Sequence, residues 1–101
     1  MVNFAVQLLA VQFLIDFECW YDYGLTLYEL DQFENAKIAF DKLVEFAPDW
    51  AEGYFQLAKV FAKLNNDEMA KANLMLAVSL DSGKEKEFIA EFPAIIDFKE
   101  K

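Results

Sequence analysis

The sequence predicts an all-α fold built of repeated helical hairpins, and three observations predict it. Apolar residues recur at steps of three and four along most of the 101-residue chain, the period of one helix face. Clusters carrying Asp, Asn, Pro or Ser divide those stretches near 31–34, 48–52, 65–67 and 82–85. Residue types also recur at a spacing of 34. Trp20, Tyr54 and Phe88 correspond, as do Leu27 and Phe61, Ala36 and Ala70, Phe40 and Leu74, and Leu43 and Ala77.

Taken in order, the first element is the longest. Val2, Val6, Leu9, Phe13, Phe17, Trp20, Gly24 and Leu27 fall at steps of 4, 3, 4, 4, 3, 4 and 3. No Gly or Pro lies between Met1 and Tyr23, so one helix over about 3–29 is expected. A break near 14–17 is the alternative. A second stripe, Phe4, Leu8, Val11 and Ile15, runs along the opposite face and turns to Glu18 and Asp22 beyond Ile15. Two opposed apolar stripes mean burial on two sides.

Leu30 ends this helix. Asp31 and Glu34 have the D-x-x-E form of a helix start, with a carboxylate as cap. A second helix over about 33–46 follows, with Phe33, Ala36, Phe40 and Leu43 on its inner face and Pro48 stopping it. Asp49 and Glu52 repeat the start signal. The third helix runs to Leu64, with Tyr54, Leu57, Ala58 and Phe61 inside. Asn65 and Asn66 turn the chain into a fourth helix over about 67–80, with Ala70, Leu74 and Ala77 inside. Ser82 and Glu85 open a last helix near Lys84, which Pro93 kinks or splits. Phe88, Phe92, Ile95 and Ile96 are expected to close the open end of the core, leaving Lys84, Lys86, Lys99 and Lys101 in water.

Composition narrows the function classes. The length fits a single small domain, 1–101. Apolar residues make up 56% of it, above the roughly 45–50% of soluble domains. The excess points to apolar surface meant for another chain or a ligand. There are 18 acids against 9 lysines, with no Arg or His, for a net charge of −9. Phosphate-backbone binding needs clustered basic groups, so no nucleic-acid partner is expected. Anionic membranes are disfavoured too. The acidity reads as a solvated outer face, with a basic partner as the alternative.

A single cysteine, Cys19, permits no internal disulfide, which suits the cytoplasm. It is expected to be a small buried residue. The first fifteen residues lack a positive start, and Gln7 and Gln12 interrupt them. Neither a signal peptide nor a membrane span is expected there.

The 34-residue unit carries Trp20, Gly24 and Leu27, then Ala36 and Phe40, then Pro48. It resembles the tetratricopeptide repeat, with its W-x2-L-G-x2-Y, A-x3-F and P pattern. Gly24 and Ala58 match as the small residues where two helices touch. The sequence departs from the pattern at Tyr23, where Leu is usual, at Ser82, in place of the second Pro, and at Asp67, in place of the aromatic that Phe33 keeps. The resemblance implies a right-handed α-hairpin solenoid of about five helices. Repeat 1 would cover 17–50 and repeat 2 would cover 51–84, between an apolar helical arm over 1–16 and a capping helix over 85–101. Two units are fewer than the three generally needed for stability, so the arm, the cap or a second chain must add burial.

The resemblance also implies a concave groove, lined by the first helix of each unit, that takes extended peptides or partner helices. Glu18, Tyr21, Leu25, Tyr28 and Glu29 would line it in the first unit, and Glu52, Phe55, Lys59, Ala62 and Lys63 in the second. Members that clamp a chaperone's C-terminal carboxylate use Lys, Asn and Arg where Tyr21 and Leu25 stand, so that activity is not implied.

No enzyme is expected. Scattered carboxylates at helical spacing are ordinary solvated surface. No His or Cys cluster has metal spacing, no Gly-rich loop could cradle a phosphate, and no cofactor is expected. The arm carries the sharper expectation. Burying Phe4, Leu8, Val11 and Ile15 would contribute about 1.5–3 kcal/mol each. Self-association through them, as a two-fold homodimer, is the leading reading; a continuous first helix could pack on the partner's repeats, as an exchanged element would. The alternatives are a helix folding back, another protein's helix, a missing upstream unit, or an adaptor using the groove. Regular units beneath so apolar a first helix would also suit a scaffold engineered to bind itself.

Overall fold

The structure is a computed structural model and describes residues 19–93. What the sequence predicts for 1–18 and 94–101 lies outside the described residues, including the arm, Glu18, Ile95, Ile96, Lys99 and Lys101. The described residues form five helices and no strand: α1 over 19–29, α2 Phe33–Phe46, α3 Ala51–Lys63, α4 Asp67–Leu80 and α5 Gly83–Glu91. α3 packs on both α2 and α4, and α5 lies against α4 and α3. The helices thus stack as two hairpins and a cap.

The two hairpin turns are built alike. Asp31 and Asn65 take left-handed backbone, with φ of 61° and 64°. The Gln32 N–H donates to the Leu27 carbonyl at 2.8 Å, and the Asp31 N–H to Tyr28 at 3.0 Å. In the second unit the Asn66 N–H donates to Phe61 at 2.9 Å, and the Asn65 N–H to Ala62 at 3.1 Å. This double closure satisfies the last carbonyls of α1 and α3, and Asp and Asn tolerate the left-handed region better than other non-glycine residues.

That geometry corrects the expected helix starts. Asp31 is spent on closing α1, so it does not cap α2, whose N-cap is Gln32 with no side-chain cap bond. Trp50, not Asp49, stands at the N-cap of α3, again without a side-chain bond. Ser82 likewise makes no cap bond at α5, where Asp81 Oδ1 accepts from the Gly83 N–H at 3.0 Å. Asn66, read from sequence only as a turn residue, is the true cap: its Oδ1 accepts from the Met69 N–H at 3.2 Å. α5 ends at Glu91, two residues before Pro93, as the proline's restriction on its predecessor requires.

The core lies between the layers. Leu27, Ala36, Ala39, Phe40, Leu43, Leu57, Val60, Phe61 and Ala70 form its main body. Phe55, Ala58, Leu74, Ala77 and Phe88 form a second cluster beneath α5. Phe33 and Tyr54, expected inside, are half-buried. Cys19, expected to be buried, is exposed.

Gly24 sets how closely α1 and α2 approach. A Cβ added there would sit 2.6 Å from Cε1 of Phe40, a ring with 0% exposure. Gly24→Ala would gain about 1 kcal/mol of helix propensity. Forcing a buried ring aside costs about 1–3 kcal/mol, so the clash wins. A net loss of about 1 kcal/mol is expected, read as a lower urea midpoint at unchanged slope.

Candidate functional site

Side chains of α1, α3 and α5 meet around Tyr28, Phe55 and Lys59. Tyr21 of α1 is half-buried and meets Trp50 edge-on, with ring centroids 5.0 Å apart. Leu25 is half-buried against the main core and Glu29 is exposed. Tyr28 packs edge-on against Phe33 at 5.3 Å. One turn apart on α3 stand Glu52, Phe55, Lys59 and Lys63, on one face because they are spaced by three and four.

The cations of this face are arranged over rings. The Lys59 Nζ lies 5.0 Å from the centre of the Tyr28 ring and 5.5 Å from that of Phe55. Lys63 stands 6.0 Å from Phe33 and 5.6 Å from Phe92. Lys84 of α5 sits 4.7 Å from Phe55.

Those same groups are engaged by the chain itself. Glu91 of α5 reaches across to α1: the Tyr28 hydroxyl donates to its Oε2 at 3.0 Å, and Lys59 pairs with its Oε1 at 3.2 Å. Lys84 donates to Glu52 Oε1 at 2.5 Å, with the two side chains only 12% and 18% exposed. Glu52 Oε2 accepts from Gln56 Nε2 at 2.8 Å. Lys84 is therefore not the water-facing residue the sequence suggested. It is the clasp between α5 and α3.

The groove residues read from sequence are thus gathered on one side, but not as an open trough. Phe55 is 5% exposed, covered by Phe88 and the two lysines, and offers little surface to a ligand. Tyr21, Leu25, Tyr28, Glu52, Lys59 and Ala62 are half-buried, while Glu29 and Lys63 are exposed.

Protonation follows from this pairing. Burial pushes the Tyr28 phenol well above its usual 10.0, and its hydrogen bond to Glu91 and that carboxylate's charge push it further. Burial also raises the Tyr21 phenol, with Glu52 adding to it. Burial works against the Lys84 ammonium, but the hydrogen bond to Glu52 and the charges of Glu52, Glu87 and Asp81 outweigh it, so its affinity for the proton rises. All three groups hold their protons more tightly folded than unfolded. Their contribution is fully present below about pH 10 and is lost as pH rises beyond it. Urea midpoints are expected to fall between about pH 8 and about pH 11, and Tyr28→Phe is expected to make that fall shallower.

A second surface escaped the sequence reading. Met69, Met75, Leu76 and Leu80 on the outer side of α4 are 42%, 62%, 49% and 47% exposed. Comparing the two units at their own spacing would have found it. Asn35, Asp41, Lys42 and Glu45 of α2 correspond to Met69, Met75, Leu76 and Ser79 of α4. Among the described residues, no group of three or more His, Cys, Asp or Glu could hold a metal ion, and no helix is long and apolar enough to cross a membrane.

A family model described as "Tetratricopeptide repeat" matches residues 17–49 and again 51–84. No curated protein and no solved structure matches the chain.

Proposed function

The chain belongs to the tetratricopeptide-repeat family, a family of protein-interaction modules, and from that premise we propose that it associates with itself. The apolar arm, with Phe4, Leu8, Val11 and Ile15 as anchors, carries the contact, and the product is a two-fold homodimer. The observation that supports this reading is the contrast between the two faces of the array. Tyr28, Lys59, Glu52 and Lys84, the polar equipment of the groove, are paired within the chain. Four of the side chains left facing water on α4, Met69, Met75, Leu76 and Leu80, are large and apolar. The exposed thiol of Cys19 fits a reducing compartment, the cytoplasm.

The test is direct. Leu8→Glu combined with Val11→Glu places two charges on the arm's second stripe and is expected to convert a dimer to a monomer at tens of micromolar. A dimeric mass retained in that variant would place the interface elsewhere.

One observation favours a second reading, an adaptor in which Tyr21, Leu25, Tyr28 and Lys59 take a peptide. Tyr28 and Lys59 together already hold a carboxylate, that of Glu91. An acidic side chain of a partner would have to replace it. A peptide library from which the intact chain selects nothing would count against this adaptor.

A further inference from the structure

The outer face of α4 differs from its counterpart in a way the fold does not require. The inner side chains Ala70, Leu74 and Ala77 are at most 1% exposed and already complete the packing. On the other side, positions that are Asn, Asp, Lys and Glu in α2 are Met, Met, Leu and Ser in α4. The first unit shows that this fold accepts polar residues there. α2 exposes one large apolar side chain, Ile38, whereas α4 exposes four, three of them at positions that are polar in α2, and such a cluster marks a contact surface.

We propose that this face of α4 receives the apolar arm of a second copy of the chain, so that two copies exchange arms about a two-fold axis. The inference rests on the self-association reading above and names its receiving surface. Three features single out this occupant. Residues 1–15 contain no charged side chain, and neither do Met69, Ala72, Met75, Leu76, Ser79 and Leu80. The lengths agree: Phe4 to Ile15 and Met69 to Leu80 span the same number of residues, about 16 Å each as helix at 1.5 Å per residue. The third feature is reach. No Gly or Pro interrupts the chain between Met1 and Tyr23. Taken as the continuation of α1, the arm does not turn back on its own α4, and the arm of a two-fold partner is left to cover that face. Exchange gives two equal contacts and closes the assembly at two copies.

The experiment uses the full chain. Met75→Lys with Leu76→Lys alters exposed side chains only, so helix content should remain that of the unaltered protein, while the urea midpoint falls toward that of the single chain as the association is lost. The dimer dissociation constant should rise at least tenfold, and adding Leu8→Glu and Val11→Glu to the same chain should recover part of it. A second arm works even where the lysine variant folds poorly. In a Cys19→Ser background, chains carrying Val11→Cys or Leu8→Cys are mixed with chains carrying Leu76→Cys and oxidised. A disulfide between the two kinds of chain is expected. If Leu76→Cys chains couple only to one another, α4 pairs with α4 and the exchange is wrong. If the lysine variant stays dimeric while the arm variant alone dissociates, the arm docks elsewhere: the inference falls and self-association stands. An unaltered chain that is monomeric overturns both.

Discussion

Phe40→Ala is expected to lower the unfolding free energy by about 3–5 kcal/mol. The ring has no exposure and lies in one cluster with Leu27, Ala36, Leu43 and Leu57. Its α1 neighbour is Gly24, which has no side chain to move into the space the ring vacates. The cavity therefore persists, and the loss belongs at the upper end of that range. A domain of this size has about 5–15 kcal/mol to lose. The variant should be substantially unfolded at physiological temperature, as urea titration followed by circular dichroism would read. A loss below about 1 kcal/mol would contradict the placement of Phe40 between the two helices.

Phe88→Ala is expected to cost a similar amount, about 3–5 kcal/mol, but to act locally. Phe88 is the only residue of α5 that is buried. It meets Phe55 edge-on at 6.4 Å and Phe92 at 4.9 Å. Without it α5 would be held by Lys84 to Glu52 and by Glu91 to Lys59 and Tyr28. The Glu91–Lys59 pair, with Glu91 40% exposed, contributes about 0–1 kcal/mol. Desolvation offsets much of the attraction in the more buried Lys84–Glu52 pair, so the two cannot hold a nine-residue helix alone. Amide hydrogen exchange over 84–91 should rise to the rate of an unfolded segment, while α2 keeps its protection. Release of α5 would also free Tyr28 and Lys59, so the groove would open in this variant. Uniform loss of protection across all helices would instead show that α5 and the hairpins unfold as one unit.

The two outcomes differ because of where each ring sits, and that difference was only partly legible in the sequence. The period of 34 placed Phe40 with Leu74 and Phe88 with Trp20 and Tyr54, and the bounds of α2 and α4 followed from periodicity and turn residues. The misread start at Asp31 has a local cause. A three-residue turn must close one helix and open the next, and Asp31 serves the first need with its left-handed backbone. A D-x-x-E pattern cannot reveal which need wins. The burial of Phe55 and Gln56 escaped for a different reason. Periodicity reports one buried face, whereas α3 lies between α2 and α4 and against α5, and so buries several.

The candidate groove shows the same limit. Of the residues the resemblance implied, Tyr28 and Lys59 meet, while Lys63 lies over Phe33 and Phe92. The pairings that occupy the groove link Glu52 to Lys84 and Tyr28 to Glu91, residues 32 and 63 positions apart. They depend on the angle at which α5 crosses, which no local pattern encodes. The open face of α4, by contrast, was fully legible, since it needs only the two units laid side by side.

The central claim is that the chain pairs with itself. Light scattering coupled to size exclusion, with the unaltered chain loaded from about one to about one hundred micromolar, tests it most directly. A mass of twice 11.7 kDa at the upper concentrations, falling toward one chain on dilution, is the expected result. A single-chain mass throughout that range would contradict it.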